Sequence, residues 1–134
     1  MNIKLRSSNV VFAALVLSAC ATPSEQNFAT DQELRKMTSS RLKSVLNGNT
    51  VQWGDGSAVY YNGSEIRAFG PDGTAIVGAI RFKNNQHCRS WNGGGERCSD
   101  VYEGADGTLS FFVPGETDSS GGIARVLNGN PNNL

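Results

Sequence analysis

The stretch QHCRSWNGGGERC, residues 86–98, holds the chain's only histidine, His87, and two of its three cysteines, Cys88 and Cys98. Two thiols beside an imidazole could hold a metal, cycle as a redox pair or close as a covalent staple. A zinc site needs four ligands, usually as two closely spaced pairs, and the sequence offers no second pair. In a strand, His87 and Cys88 would also point to opposite faces. A C-x-x-C redox motif is missing. His87 is therefore expected at the surface, with no metal centre around it. Nucleophilic hydrolysis lacks its parts as well, since serines are plentiful but there is one histidine and no G-x-S-x-G elbow. Glu96 with Asp100, or Glu103 with Asp106, has the chemistry of a glycosidase acid and base. Their places beside turn sequences suit solvated loop residues better. WNGGGER, residues 91–97, lacks the spacing of a phosphate loop, and the Asp-Gly pairs do not build the D-x-D-x-D series of a calcium loop. No catalytic residue and no cofactor is expected.

The first twenty residues, MNIKLRSSNVVFAALVLSAC, supply the context. Lys4 and Arg6 give a positive start, Val10 to Leu17 an apolar run, and Ser18 and Ala19 a small-residue cleavage site. That order describes a secretory signal peptide. The run is far short of the ~20 apolar residues that span a bilayer. LSAC, residues 17–20, resembles the lipobox of bacterial lipoproteins. The resemblance is confined to the leader; it implies cleavage before Cys20, diacylglycerol on that cysteine and acylation of the new amine. Anchoring by more than one acyl chain is stable. Ala21, rather than Asp, at the second mature position implies sorting to the outer membrane, with the domain facing the periplasm or the cell surface. The expected division is signal peptide 1–19, lipid-anchored tether 20–29 and a single domain 30–134.

With Cys20 assigned to lipid, Cys88 and Cys98 are left as an even pair in an oxidising compartment, where small exported domains use disulfides to supplement a limited core. The Asn-Gly-Gly-Gly run at 92–95 can reverse the chain between them, so antiparallel strands would bring the sulfurs together. A disulfide is expected, with Trp91 packed near it. Charge adds an exclusion. The chain has 12 Lys and Arg against 12 Asp and Glu, and losing Lys4 and Arg6 leaves 10 against 12, a net charge of −2. The basic residues are scattered, with no aromatic-interleaved stripe, so nucleic acid is not an expected partner.

Periodicity locates the elements that carry these residues. Thr30 with Glu33 makes a capping-box pattern. Leu34, Met37, Leu42, Val45 and Leu46 keep a helical stripe ending at Gly48, with MTSS (37–40) as a weak point, so one or two short helices are expected. After Asn49 the period becomes two. Short β-prone segments start at Thr50, Ser57, Glu65, Thr74, His87, Arg97, Thr108 and Ile123. Between them stand Asp55-Gly56, Asn62-Gly63, Asp72-Gly73, Asn84-Asn85, Asn92 to Gly95, Asp106-Gly107 and Gly121-Gly122, all turn chemistry. The predicted fold is mainly β: an antiparallel meander of about seven or eight short strands closing into a small barrel or sandwich. Aromatics fall on nearly every strand, chiefly as core. The YY and FF pairs put one ring on each face, which makes Tyr60, Tyr61, Phe111 and Phe112 candidates for a binding face.

The second half resembles small bacterial envelope proteins of unknown function that share a layout of strand, C-x-x-W, turn, C, strand, Asp-Gly turn, strand and G-N. Here it reads Cys88-Arg89-Ser90-Trp91, then Cys98, Asp106-Gly107 and Gly129-Asn130, over about residues 70–132. That family often has a Gly-Trp pair entering the strand before its first cysteine, where this chain has GAIRF (78–82). The resemblance implies an all-β envelope domain without known catalytic residues. A wider likeness of architecture is to lipid-anchored lysozyme inhibitors, whose Ser-Gly inhibitory loop is not found here. The expected function is a non-enzymatic outer-membrane lipoprotein with an envelope binding or structural role. The alternative is a periplasmic inhibitor of a lysozyme-like or other hydrolase. Expected partners are the membrane, through the lipid on Cys20, and an envelope protein or the cell wall.

Overall fold

The computed structural model describes residues 33–115 and 119–134. The leader, Cys20, the tether and Thr30 lie outside the described residues. From Thr50 onward, period-two alternation governs the chain. Strand β5 (Ala75–Lys83) alternates without a break, with Ile76, Gly78, Ile80 and Phe82 turned inward and Ala75, Val77, Ala79, Arg81 and Lys83 exposed. The other barrel strands are β2 (Thr50–Trp53), β3 (Ala58–Asn62), β4 (Glu65–Phe69), β6 (Gln86–Trp91), β7 (Arg97–Glu103), β8 (Leu109–Phe112) and β9 (Ser119–Leu127). Each pairs antiparallel with the next, and β9 returns to β2 with Thr50 opposite Leu127 and Trp53 opposite Ala124. The eight strands therefore form a closed barrel. Closure removes the free edges that a sheet this small would otherwise expose.

Turn chemistry sets the register. Asn84 and Asn85 both adopt positive φ, 53° and 57°, and join Lys83 to its partner Gln86 as a two-residue hairpin. Three turns share a device: Oδ1 of Asp55, Asp72 and Asp106 accepts the backbone N–H two residues on, at 2.9, 2.9 and 3.0 Å. Gly121-Gly122 behaves otherwise than expected. It lies inside β9, where Ser110 pairs with Ile123 and Phe112 with Ser119, so two extra residues bulge out of the strand. Gly122, at φ 77°, supplies the backbone angle the bulge requires.

Among the described residues, only the second half of the predicted helical region is helical. Helix α1 spans Ser39–Leu46, capped by Thr38, whose hydroxyl accepts from the Arg41 N–H at 3.2 Å. The weak point in MTSS is thus the start of the helix. Before it, Arg35–Lys36 forms a two-residue strand, β1, opposite Tyr102 and Glu103 of β7. The reason is an unfilled edge: β6 pairs with β7 over Arg97 to Ser99, leaving the stretch beyond for β1 and for Met37, whose N–H donates to the Val101 carbonyl at 2.8 Å. Backbone pairing outweighs a narrow apolar stripe.

Helix α1 closes one end of the barrel. Ser39 and Asn85 exchange hydrogen bonds at 2.9 and 3.0 Å, Asn47 accepts from the Gly63 N–H at 2.8 Å, and Arg41 forks onto Glu103. Those partners sit in or beside three turns at the same barrel end. Met37, Leu42 and Leu46 project from this plug into a core with Val51, Ile66, Ile80, Val101 and Leu109. The opposite end has no such plug among the described residues.

Candidate functional site

The open end leads into a cavity of about 360 Å³ between the strands. Its chemistry comes from β6, whose odd-numbered positions His87, Arg89 and Trp91 all face inward. Trp53 ends β2 and Trp91 ends β6, so the two indoles stand at the mouth with Asp55 and Ser57 of the intervening turn. Val59, Ile66 and Ile76 make the walls, and Tyr61, His87 and Phe111 the floor. The volume lies at the lower end of the roughly 300–1,000 Å³ typical of small-molecule sites.

His87 is a core residue, 1% exposed, against the expectation of a surface position. Strand parity explains it: Cys88 faces outward to its disulfide, which forces His87 inward. The imidazole is surrounded by Tyr61, Phe82 and Phe111, with ring centroids at 5.7, 6.1 and 5.3 Å. Its Nε2 shares a 2.9 Å hydrogen bond with the Tyr61 hydroxyl, while Nδ1 has no partner among the described residues. Burial, helped by the nearby Arg89 charge, pushes the His87 pKa down to about 3. Burial pushes the Tyr61 phenol up, and Arg89 opposes it. Both groups stay neutral across the physiological range.

The charged groups of the cavity differ in how far they are committed. Asp55 accepts from both the N–H and the hydroxyl of Ser57, at 2.9 and 2.6 Å, which holds its carboxyl below the usual range. Arg89 is half-buried, and its guanidinium makes no hydrogen bond or ion pair among the described residues.

Cys88 and Cys98 are direct cross-strand partners, with Cα atoms 3.9 Å apart, and their sulfurs are bonded. The Glu96 carboxylate lies within 4.8 Å of both sulfurs. Bonded to each other, those sulfurs are not thiolate ligands, and Glu96 is held by Arg81 at 2.6 Å and by Lys83. Asp100 pairs with Lys36 at 2.9 Å and Glu103 with Arg41 at 2.7 Å. Trp91, expected near the bridge, faces the cavity instead: three residues from Cys88, it falls on the other side of the strand.

No family model, curated protein or solved structure compared with this chain matches it. Of the four candidate aromatics, Tyr61 and Phe111 enter the cavity, while Tyr60 is half-buried outside and Phe112 packs on Tyr102 at 5.3 Å. Cys20 lies outside the described residues. Sequence reasoning missed Trp53, Asp55, Arg89 and Trp91 as one site. The signal was parity: HCRSW puts His87, Arg89 and Trp91 on one face, and knowing that Cys88 faces outward would have turned that face inward.

Proposed function

We propose that this protein is a non-enzymatic, lipid-anchored binding protein of the bacterial envelope, tethered through Cys20 to the outer membrane on its periplasmic side. The observation that carries the binding role is the preformed cavity between Trp53 and Trp91, open at the barrel end away from the helix. Aliphatic walls, aromatic rings at floor and mouth, and a few converging polar groups suit retention of a small molecule. Proton transfer at neutral pH calls for a group that titrates there. His87 at about 3, Tyr61 raised and Asp55 lowered all suit recognition better than acid–base turnover. The anchor rests on LSAC at residues 17–20 and on the charge and hydropathy of the leader.

Two measurements test the two halves. Labelled fatty acid should be incorporated by the wild type and not by Cys20→Ala; incorporation by the variant defeats the anchor. Protein isolated from its own membranes should release a small molecule on denaturation, and Trp91→Ala protein should carry much less of it. A wild-type protein that releases nothing and binds no apolar probe would remove the binding role.

A further inference from the structure

We propose that the cavity takes a small apolar carboxylate, its head held by Arg89 and Arg97 and its hydrocarbon or aromatic body lying between Trp53 and Trp91; this rests on the reading of the cavity as a binding site. Arg89 of β6 and Arg97 of β7 are direct cross-strand partners, so their side chains leave the same face of the sheet. Together with Trp91, Gly94 and Gly95 they line a recess of about 390 Å³. Arg89 and Trp91 belong to the main cavity too, so the two spaces share a wall.

Like charges directly opposite each other destabilise a sheet. Arg41, Arg67 and Arg81 each have a carboxylate at 2.6 to 2.7 Å. The guanidiniums of Arg89 and Arg97 have no hydrogen bond or ion pair among the described residues. An oxyanion between the two forks relieves the repulsion and gives both a planar, bidentate acceptor. The third charge of the lining is Asp55, ionised and already occupied by Ser57. Two guanidiniums and one carboxylate leave a balance of one positive charge, which a carboxylate neutralises and a phosphate dianion exceeds. Beyond the charges the walls are Val59, Ile66 and Ile76, so the rest of the ligand is apolar. His87 remains neutral and adds no charge to the floor.

Both tryptophans of the chain line the cavity, so their fluorescence reports its occupancy in the full-length protein. Phenylbutyrate, phenylbutanol and phenylbutylamine share one body, differ in the head, and leave tryptophan excitation unobstructed. The acid is expected to bind at least about tenfold more tightly than the alcohol, with no saturable response to the amine. Arg89→Gln should bring the acid down to the alcohol's affinity and Arg97→Gln part of the way. Neither should lower the melting temperature, because each removes a like-charge contact. Equal affinity for acid and alcohol, preference for the amine, or full acid preference in Arg89→Gln overturns the carboxylate assignment and leaves the binding role standing. Stronger binding of phenyl phosphate than of phenylbutyrate overturns the single-charge match. No saturable response to any of them overturns both the assignment and the binding role.

Discussion

His87 ties the stability of the barrel to pH. Its pKa is about 3 in the folded protein and 6.5 when exposed, so between those values the unfolded chain binds a proton that the folded chain refuses. The sign is then set: the contribution is complete above 6.5 and is lost as pH falls, with a slope of about 1.4 kcal/mol per pH unit. Glu96, Asp100 and Glu103, also held below their usual range, act in the same direction at lower pH, where carboxylates titrate. Between pH 6.5 and about 5 the histidine dominates. Urea midpoints over that window should fall steadily for the wild type and stay nearly level for His87→Gln. An equal fall in both would mean that the imidazole is not the group responsible. At neutral pH the variant should be less stable by about 1–3 kcal/mol if it leaves the Tyr61 hydroxyl without its partner.

At the scale of elements, the site depends on how β5 and β6 approach each other. A Cβ on Gly78 would collide with the Ser90 carbonyl oxygen and lie 2.6 Å from the Trp91 ring. Glycine at this point lets Trp91 lie flat over the neighbouring strand. Gly78→Ala is expected to cost about 1–3 kcal/mol through overpacking and to move Trp91, visible as a shifted emission maximum and weaker probe binding. An unchanged emission spectrum with normal binding would show that the strand absorbs the methyl without moving the indole. The hairpin is stapled on its outer face by Cys88–Cys98, which are 10 residues apart. Closing so short a loop contributes somewhat under ~3 kcal/mol in the chain-entropy account. Cys88→Ser with Cys98→Ser should lose about that much in denaturant unfolding, and the non-reduced wild-type protein should show no free thiol from this pair by mass spectrometry.

For the molecule as a whole, the barrel has unlike ends. One is filled by Met37, Leu42 and Leu46 from the helical plug, and the other carries the cavity mouth. The apolar plug and the cavity mouth are thereby separated along the barrel axis. Leu46, fully buried, should cost about 2–5 kcal/mol when cut to Ala, with probe affinity little changed once the remaining protein is folded. Arg41→Ala removes an ion pair whose arginine is 54% exposed and screened by solvent, and should change stability far less than Leu46→Ala. If the two variants were equally destabilised, the plug would owe its strength to surface charge rather than to apolar burial.

The eight barrel segments, most of their turns and the cysteine staple were legible in the sequence because each depends on local rules. Alternation of period two, Asp-Gly and Asn-Asn backbone angles, and two cysteines flanking a reversal all act within a dozen residues. The start of the predicted helix is a strand instead because Arg35 and Lys36 answer to the edge of β7, more than sixty residues away. Gly121-Gly122 reads as turn chemistry between strands, yet the pairing with β8 places it inside β9 as a bulge, with Gly122 at φ 77°. The cavity was least legible of all. Alternation puts His87, Arg89 and Trp91 on one face of β6 but does not say which face closes inward. Once β9 returns to β2, that face encloses two tryptophans, a buried neutral histidine and an arginine opposite a second arginine. Local chemistry determined the strands; closure, a contact between the two ends of the domain, decided what they surround.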